Sequence, residues 1–283
     1  MEDIIDAKSA INNFYDKPNV VFLDATFHLP NSGRNAKKEF ISKHIPDSRF
    51  FDIDQISDRS SNLPHMLPSA SDFSQMASAL GIKNTDTVVV YDNSVFFSAA
   101  RAWWMFKIFG HQKIKILDGG LIAWINEKGP TSNGNNEITK TNYKANKINY
   151  DLYETLDGIL DNLNFNHGKI IIDARGEERF YGKVEEPRKG VRKGHIPNSI
   201  NIPITSLINK SDNCLKSKNE IKKTFHDLGI TNSETQLVMT CGSGVTACGL
   251  AIAAQMIGFK KIKIYDGSWS DWGSNPKTPI EVN

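Results

Sequence analysis

The strongest constraint on this chain is that it repeats itself. The run VVFLDA at Val20–Ala25 returns as KIIIDA at Lys169–Ala174, and KHIPDS at Lys43–Ser48 returns as GHIPNS at Gly194–Ser199. VVVYD at Val88–Asp92 is matched by LVMTC at Leu237–Cys241, and ILDGGLIAW at Ile116–Trp124 by IYDGSWSDW at Ile264–Trp272. The spacing holds as well: Asp24 to His44 is 20 and Asp173 to His195 is 22, while His44 to Asp92 is 48 and His195 to Cys241 is 46. Words kept in order at near-equal spacing mean a duplicated domain. The length of 283 residues leaves each copy enough chain for its own core. Between the copies lies KGPTSNGNNEITKTNYKANKINY, poor in apolar residues and rich in Asn, Thr and Lys. The expected division is therefore a first domain over 1–128, a linker over 129–149 and a second domain over 150–283.

Within each copy, short β-branched runs alternate with helical patterns such as FSQMASALGI and KKTFHDLGI. That alternation predicts an α/β fold, each copy a mainly parallel sheet covered by helices on both faces. Ligands of such sheets gather at the carboxyl ends of the strands.

Bulk properties exclude several function classes. The net charge of +2 comes from 34 Lys and Arg against 32 Asp and Glu, scattered rather than massed into a stripe that would neutralise phosphates, so nucleic acid is not an expected partner. No apolar run approaches the roughly 20 residues a bilayer crossing needs, so no membrane partner is expected either. The N-terminal MEDIIDAKSAINNFYDK fits neither a secretory signal nor a transit peptide, which reads as cytoplasmic. Three cysteines, Cys214, Cys241 and Cys248, are too few for a disulfide framework and suit a reducing compartment. Neither a CxxC pair nor an HExxH helix is present, so no metal site is expected.

One cysteine stands apart. LVMT reads as a buried strand, CGSG as a tight turn and VTACGLAIAAQMIGF as a helix with apolar positions Val245, Cys248, Ile252 and Met256. Cys241 therefore sits at a strand end facing a helix N-terminus. Gly242 and Gly244 are expected to take positive φ and gather N–H groups into an anion nest. Such a nest and the helix dipole stabilise a thiolate, the nucleophilic form. A lone cysteine is more often a small buried hydrophobe, and that reading is kept for Cys248, on the helix face, and for Cys214 in its polar loop.

The duplication, the DGSWSDW segment and CGSGVT resemble the rhodanese superfamily, and more closely its 3-mercaptopyruvate sulfurtransferases. GRNAKKEF, FFDIDQISDRSSNLPHMLP, RAWWMFKIFGH and EEPRKGVRKGHIPNSINIP carry the closer match, and the similarity runs from about Ile11 to Trp272. The resemblance implies tandem rhodanese-like domains of which only the second is catalytic, because Asp92 occupies the place of Cys241 and cannot carry sulfane sulfur. It implies substrate-binding roles for Arg179 and Arg188, whose guanidiniums can hold a carboxylate bidentately, and for the loop residues Gly242, Gly244, Val245 and Thr246. A relay is also implied, with Ser243 and His44 matching its first two members. Its carboxylate stays unassigned, since some relatives carry aspartate where this chain has Asn35.

The activity so implied moves sulfane sulfur from 3-mercaptopyruvate through a Cys241 persulfide to thioredoxin, a small thiol or cyanide. It needs no cofactor. Thiosulfate-preferring relatives present a basic CRKGVT-type loop; here Gly242 and Ser243 remove both charges, which fits a mercapto acid better than a dianion. A thiosulfate sulfurtransferase is the nearest alternative, and a non-catalytic sulfur-carrier or interaction module the alternative of another class. A cysteine phosphatase would need arginine six residues after the nucleophile, where this chain has Ala247.

Overall fold

The computed structural model describes residues 3–29 and 32–282. It divides into two compact units, the first comprising Met1–Arg59, Leu67–Asn149 and Asn209–Leu215, the second Ser60–Met66, Tyr150–Ile208 and Lys216–Asn283. Each unit thus contains a short arm from the other half of the sequence.

Unit 1 runs β1 (Ile4–Ile5), α1 (Ala7–Asn13), β2 (Val20–Asp24), α2 (Ala36–Ser42), β3 (Arg49–Phe50), α3 (Ala70–Ala79), β4 (Thr87–Tyr91), α4 (Ala99–Ile108), β5 (Ile114–Leu117) and α5 (Gly120–Asn126). Unit 2 runs β6 (Tyr153–Glu154), α6 (Leu156–Phe165), β7 (Ile170–Asp173), α7 (Glu177–Phe180), β8 (Ile200–Asn201), α8 (Lys218–Asp227), β9 (Leu237–Thr240), α9 (Thr246–Met256), β10 (Ile262–Tyr265) and α10 (Ser268–Trp272). The sheets have orders β1-β5-β4-β2-β3 and β6-β10-β9-β7-β8, every pairing parallel. The two orders are one permutation used twice, so the duplication extends to topology.

The strand sequences explain their positions. Val88, Val89, Val90 and Tyr91 of β4, and Leu237, Val238 and Met239 of β9, are fully buried, as central strands covered on both faces must be. The helices that follow them are buried almost all round. Small residues at Ala247, Gly249, Ala251, Ala253 and Ala254 make α9 fit there. By contrast α8 is amphipathic, with Ile221 and Phe225 inward and a capping box made by Ser217 and Glu220.

The repeated words do the same structural work in both units. Trp124 Nε1 donates to Pro130 O at 2.8 Å and Trp272 Nε1 to Pro279 O at 2.7 Å. His44 exchanges backbone hydrogen bonds with Ser132, as His195 does with Glu281. His44 Nδ1 donates to Phe40 O at 2.7 Å while its ring stacks on Phe40; His195 Nδ1 donates to Phe180 O at 2.9 Å and stacks on Phe180. The HIP histidines are fasteners for the chain that leaves each unit.

That chain, in unit 1, is the stretch read as a linker. It is packed along the unit rather than free: Tyr143 is buried against Phe73 and Phe106, and Asn146 and Asn149 donate to carbonyls at the end of α4. One buried tyrosine and backbone N–H groups of this stretch suffice because they meet preformed partners. Among the described residues, no helix is long and apolar enough to cross a membrane.

Candidate active site

β9 delivers Cys241 to its carboxyl end, where the thiol-bearing residue is 2% exposed. The loop to α9 is held by the start of α10. Cys241 N and Gly244 N both donate to Ser268 Oγ at 3.1 Å, and that hydroxyl donates to Tyr265 O at 2.8 Å. Cys241 O accepts from Trp269 N, and Gly242 O accepts from both the N–H and the hydroxyl of Ser270. Ser268 has φ +48°, a conformation that costs a non-glycine residue about 1 kcal/mol. Three hydrogen bonds on its hydroxyl hold it there.

The glycines divide the labour differently from the sequence expectation. Gly244 has φ +74°, but Gly242 is not in the left-handed region. Gly242 instead lies close under the arginines: a Cβ there would lie 3.2 Å from Arg179 Nη2, a tight contact, and 3.8 Å from Arg188 Nη1. Among the described residues, the N–H groups of Gly242, Ser243, Val245 and Thr246 find no acceptor in the protein. These are the donors left over for an anion at the helix start.

Arg179, on α7, and Arg188, in the loop after it, therefore both reach the cysteine loop. Arg188 Nη2 also comes within 3.4 Å of Ser243 Oγ. Arg179 is clamped by Glu186, which in turn accepts from Arg175.

The relay needs a correction. Ser243 Oγ lies 2.8 Å from Nδ1 of His65, 178 residues away in sequence, and both residues are buried. His44 is engaged within its own unit: its Nδ1 is occupied by Phe40 O, and its Nε2 lies 3.4 Å from Asn136 Nδ2. His65 reaches the loop because Ser60–Met66 is the arm that belongs to unit 2. A usable signal did exist in the sequence. His44 has a repeat partner in His195, which marks a structural role, whereas His65 has none. Asn35 likewise serves structure, accepting from Lys38 N as the cap of α2.

Neither of the other cysteines takes the strand-end position. Cys248 is fully buried on α9, its Sγ 3.2 Å from Gly244 O. Cys214 lies in the unit 1 arm, its thiol pushed up to about 12 by burial and by Asp118 and Asp212. At the end of β4, Asp92 takes the place of Cys241. Its carboxylate accepts from Ala99 N at 2.7 Å, Ser98 Oγ at 3.2 Å and Ser94 N at 3.3 Å, and burial raises its pKa.

A buried cysteine, loop amides without protein acceptors among the described residues, a Ser–His pair and two guanidiniums come together at the carboxyl end of β9, and such a set can stabilise an anionic sulfur and hold a carboxylate. The family model of the rhodanese-like domain matches residues 6–127 and 155–275. The chain is 42% identical over 252 residues to the 3-mercaptopyruvate sulfurtransferase of Mus musculus, covering 88% of this chain and 84% of that one. It is 40% identical over 288 residues to the mitochondrial thiosulfate/3-mercaptopyruvate sulfurtransferase 1 of Arabidopsis thaliana, covering 94% and 74%. The solved structure of SseA from Escherichia coli superposes with a TM-score of 0.84 at 33% identity, covering 95% of this chain and 99% of that one. With both halves matched and these relatives covered over 74–99% of their length, the chain belongs to the rhodanese-like family, among its two-domain 3-mercaptopyruvate sulfurtransferases.

Proposed function

We propose that the chain takes sulfane sulfur from 3-mercaptopyruvate on Cys241 and passes it to a thiol or cyanide acceptor. The observation that carries this reading is the placement of Arg179 and Arg188 at Gly242, next to the nucleophile. Two guanidiniums there can hold the donor's carboxylate while its sulfur faces Cys241.

The Cys241 thiolate attacks the donor sulfur. A Cys–S–S bond forms, the bond from sulfur to C3 of the donor breaks, and its electron pair becomes the enolate of pyruvate. Protonation at C3 releases pyruvate. Ser243 and His65 are the groups that can hold and move a proton beside the reacting sulfur, and the loop N–H groups face the anionic sulfur of the persulfide. A second nucleophile, such as reduced thioredoxin, a small thiol or cyanide, then attacks the outer sulfur and regenerates Cys241. Two half-reactions on one residue predict ping-pong kinetics.

Mass spectrometry of the protein after exposure to fresh 3-mercaptopyruvate tests this. One added sulfur, with pyruvate released and the adduct absent in Cys241→Ser, is the expected result; no adduct on the wild-type protein overturns the proposal. Thiosulfate is the second reading, favoured by the relatives named for both donors. The uncharged Gly242–Ser243 pair opposes it, and the two donors compared in one cyanide assay decide. The three free thiols support residence in a reducing cytoplasm; recovery in an organelle fraction would contradict that placement.

A further inference from the structure

Arg179 presents two edges to two partners. Its Nε and Nη2 edge is clamped by Glu186, with Nη2 donating to Oε2 at 2.5 Å and Nε to Oε1 at 3.2 Å. Its Nη1 and Nη2 end faces the loop at Gly242. A planar guanidinium can satisfy a carboxylate on each edge, so the Glu186 clamp leaves the outer fork open to a second one.

Glu186 is itself held by neighbours. Its side chain is 4% exposed and accepts from Arg175 Nη1 at 2.9 Å. Arg175, 1% exposed, is held by Asp173 through Nε at 3.0 Å and Nη2 at 2.8 Å, donates to Gly194 O, and stacks on Trp269 at 4.4 Å. The clamp is anchored in the sheet by Asp173, the last residue of β7. Its effect is both orientation and charge, because a carboxylate against Arg179 offsets one positive charge beside the cysteine loop.

We propose that Glu186 is a positioning residue that aims the outer fork of Arg179 at the donor carboxylate and, by offsetting one positive charge, selects a monoanionic mercapto acid over a dianionic sulfur donor. The inference rests on the 3-mercaptopyruvate reading above. At neutral pH 3-mercaptopyruvate carries one negative charge and thiosulfate two, so the same pocket cannot be charge-matched to both.

The test is steady-state sulfur transfer to cyanide from each donor, in the wild type, Glu186→Gln, Glu186→Asp, Arg179→Met and the Arg179→Met/Glu186→Gln double variant. Glu186→Gln is expected to raise the KM for 3-mercaptopyruvate about tenfold with a smaller change in kcat, and to raise kcat/KM for thiosulfate, shifting the donor ratio by about tenfold or more. Glu186→Asp keeps the charge and loses the reach, so it raises the KM for 3-mercaptopyruvate without gaining on thiosulfate. In the Arg179→Met background the Glu186→Gln shift disappears. An unchanged donor ratio in folded Glu186→Gln, or the same shift without Arg179, overturns the proposal. Should Glu186→Gln not fold, the native protein decides: monoanionic pyruvate must compete with the donor better than dianionic sulfate, and equal or tighter inhibition by sulfate overturns the role of Glu186. A wild type that turns over thiosulfate but not 3-mercaptopyruvate overturns the donor reading itself, and this inference with it.

Discussion

The ends of β4 and β9 hold equivalent places in equivalent sheets, yet one is closed on itself and the other is open. At β4 the loop runs seven positions from Asp92 to Ala99; at β9 it runs five from Cys241 to Thr246. Asp92 brings its own anion and uses the donors of its loop, Ala99 N, Ser98 Oγ and Ser94 N. Cys241 brings no oxygen, and the loop is braced from outside by Ser268 and Ser270, so four loop N–H groups stay without a protein acceptor among the described residues. The position that braces is itself telling. Gly120, with φ +54°, has no room for a side chain, since a Cβ would lie 2.0 Å from Asp92 O; its counterpart Ser268, with φ +48°, carries the hydroxyl that holds the cysteine loop. The arms follow suit. His65 meets Ser243 Oγ in unit 2, while in unit 1 Asn213 donates to the backbone oxygen of Ser94. The cysteine's strand end differs in that its loop is supported from elsewhere, so that its own donors remain available.

The largest expected effect comes from exchanging the two strand-end residues. Cys241→Ser abolishes sulfur transfer, and adding Asp92→Cys to it restores neither turnover nor a detectable persulfide, because unit 1 has the longer loop and carries Gly120 where Ser268 braces the cysteine loop; mass-detected sulfur on residue 92 would break the comparison. Next, His65→Asn is expected to lower kcat with 3-mercaptopyruvate roughly a hundredfold or more. His44→Asn instead lowers stability by about 1–3 kcal/mol with kcat kept in the folded protein. Denaturant unfolding and kinetics on the same samples separate the two histidines.

Smaller effects are expected at the brace. Ser268→Ala leaves Cys241 N–H and Gly244 N–H without their acceptor, costing about 2 kcal/mol and loosening the loop, with kcat/KM down about tenfold. Gly120→Ser destabilises unit 1 without supplying the equivalent brace, because its side chain meets the Asp92 carbonyl; a neutral effect there would show that unit 1 can open in the same way.

The mildest test uses pH. Asp24 is fully buried and its pKa is raised from 3.8 to about 7, first by desolvation, whereas its counterpart Asp173 is ion-paired with Arg175. The native state therefore binds the Asp24 proton more tightly than the unfolded chain does. Stability from this group is full below 3.8 and is lost as pH rises through about 7. Asp118, raised to about 6, adds in the same direction. Unfolding of the wild type between pH 5 and 8 should show declining stability, and Asp24→Asn should flatten that decline.

The fold was legible because it depends on local pattern. β-branched runs, caps such as Ser217 with Glu220, and words repeated at matched spacing carry their own physical instructions, and the structure repeats them in two identical strand orders. Arg179 and Arg188 were singled out by the resemblance rather than by any local signal, since a guanidinium's target is not encoded in its neighbours. The exceptions were positions whose role depends on which segment packs where. Gly242 lies close under an arginine rather than taking a positive φ, and Ser268 works through a hydroxyl aimed at amides 24 and 27 residues earlier.

The sequence by itself determined the duplicated α/β architecture and the cysteine at a strand end with its neutral, glycine-flanked loop, because periodicity, repetition and residue chemistry are properties of the chain read in order. Only the tertiary structure decided that His65 rather than His44 stands at Ser243, and that Glu186 governs Arg179. Those pairings are made by an arm and a buried ion-pair chain, whose partners are selected by packing and burial, and sequence separation carries no record of either.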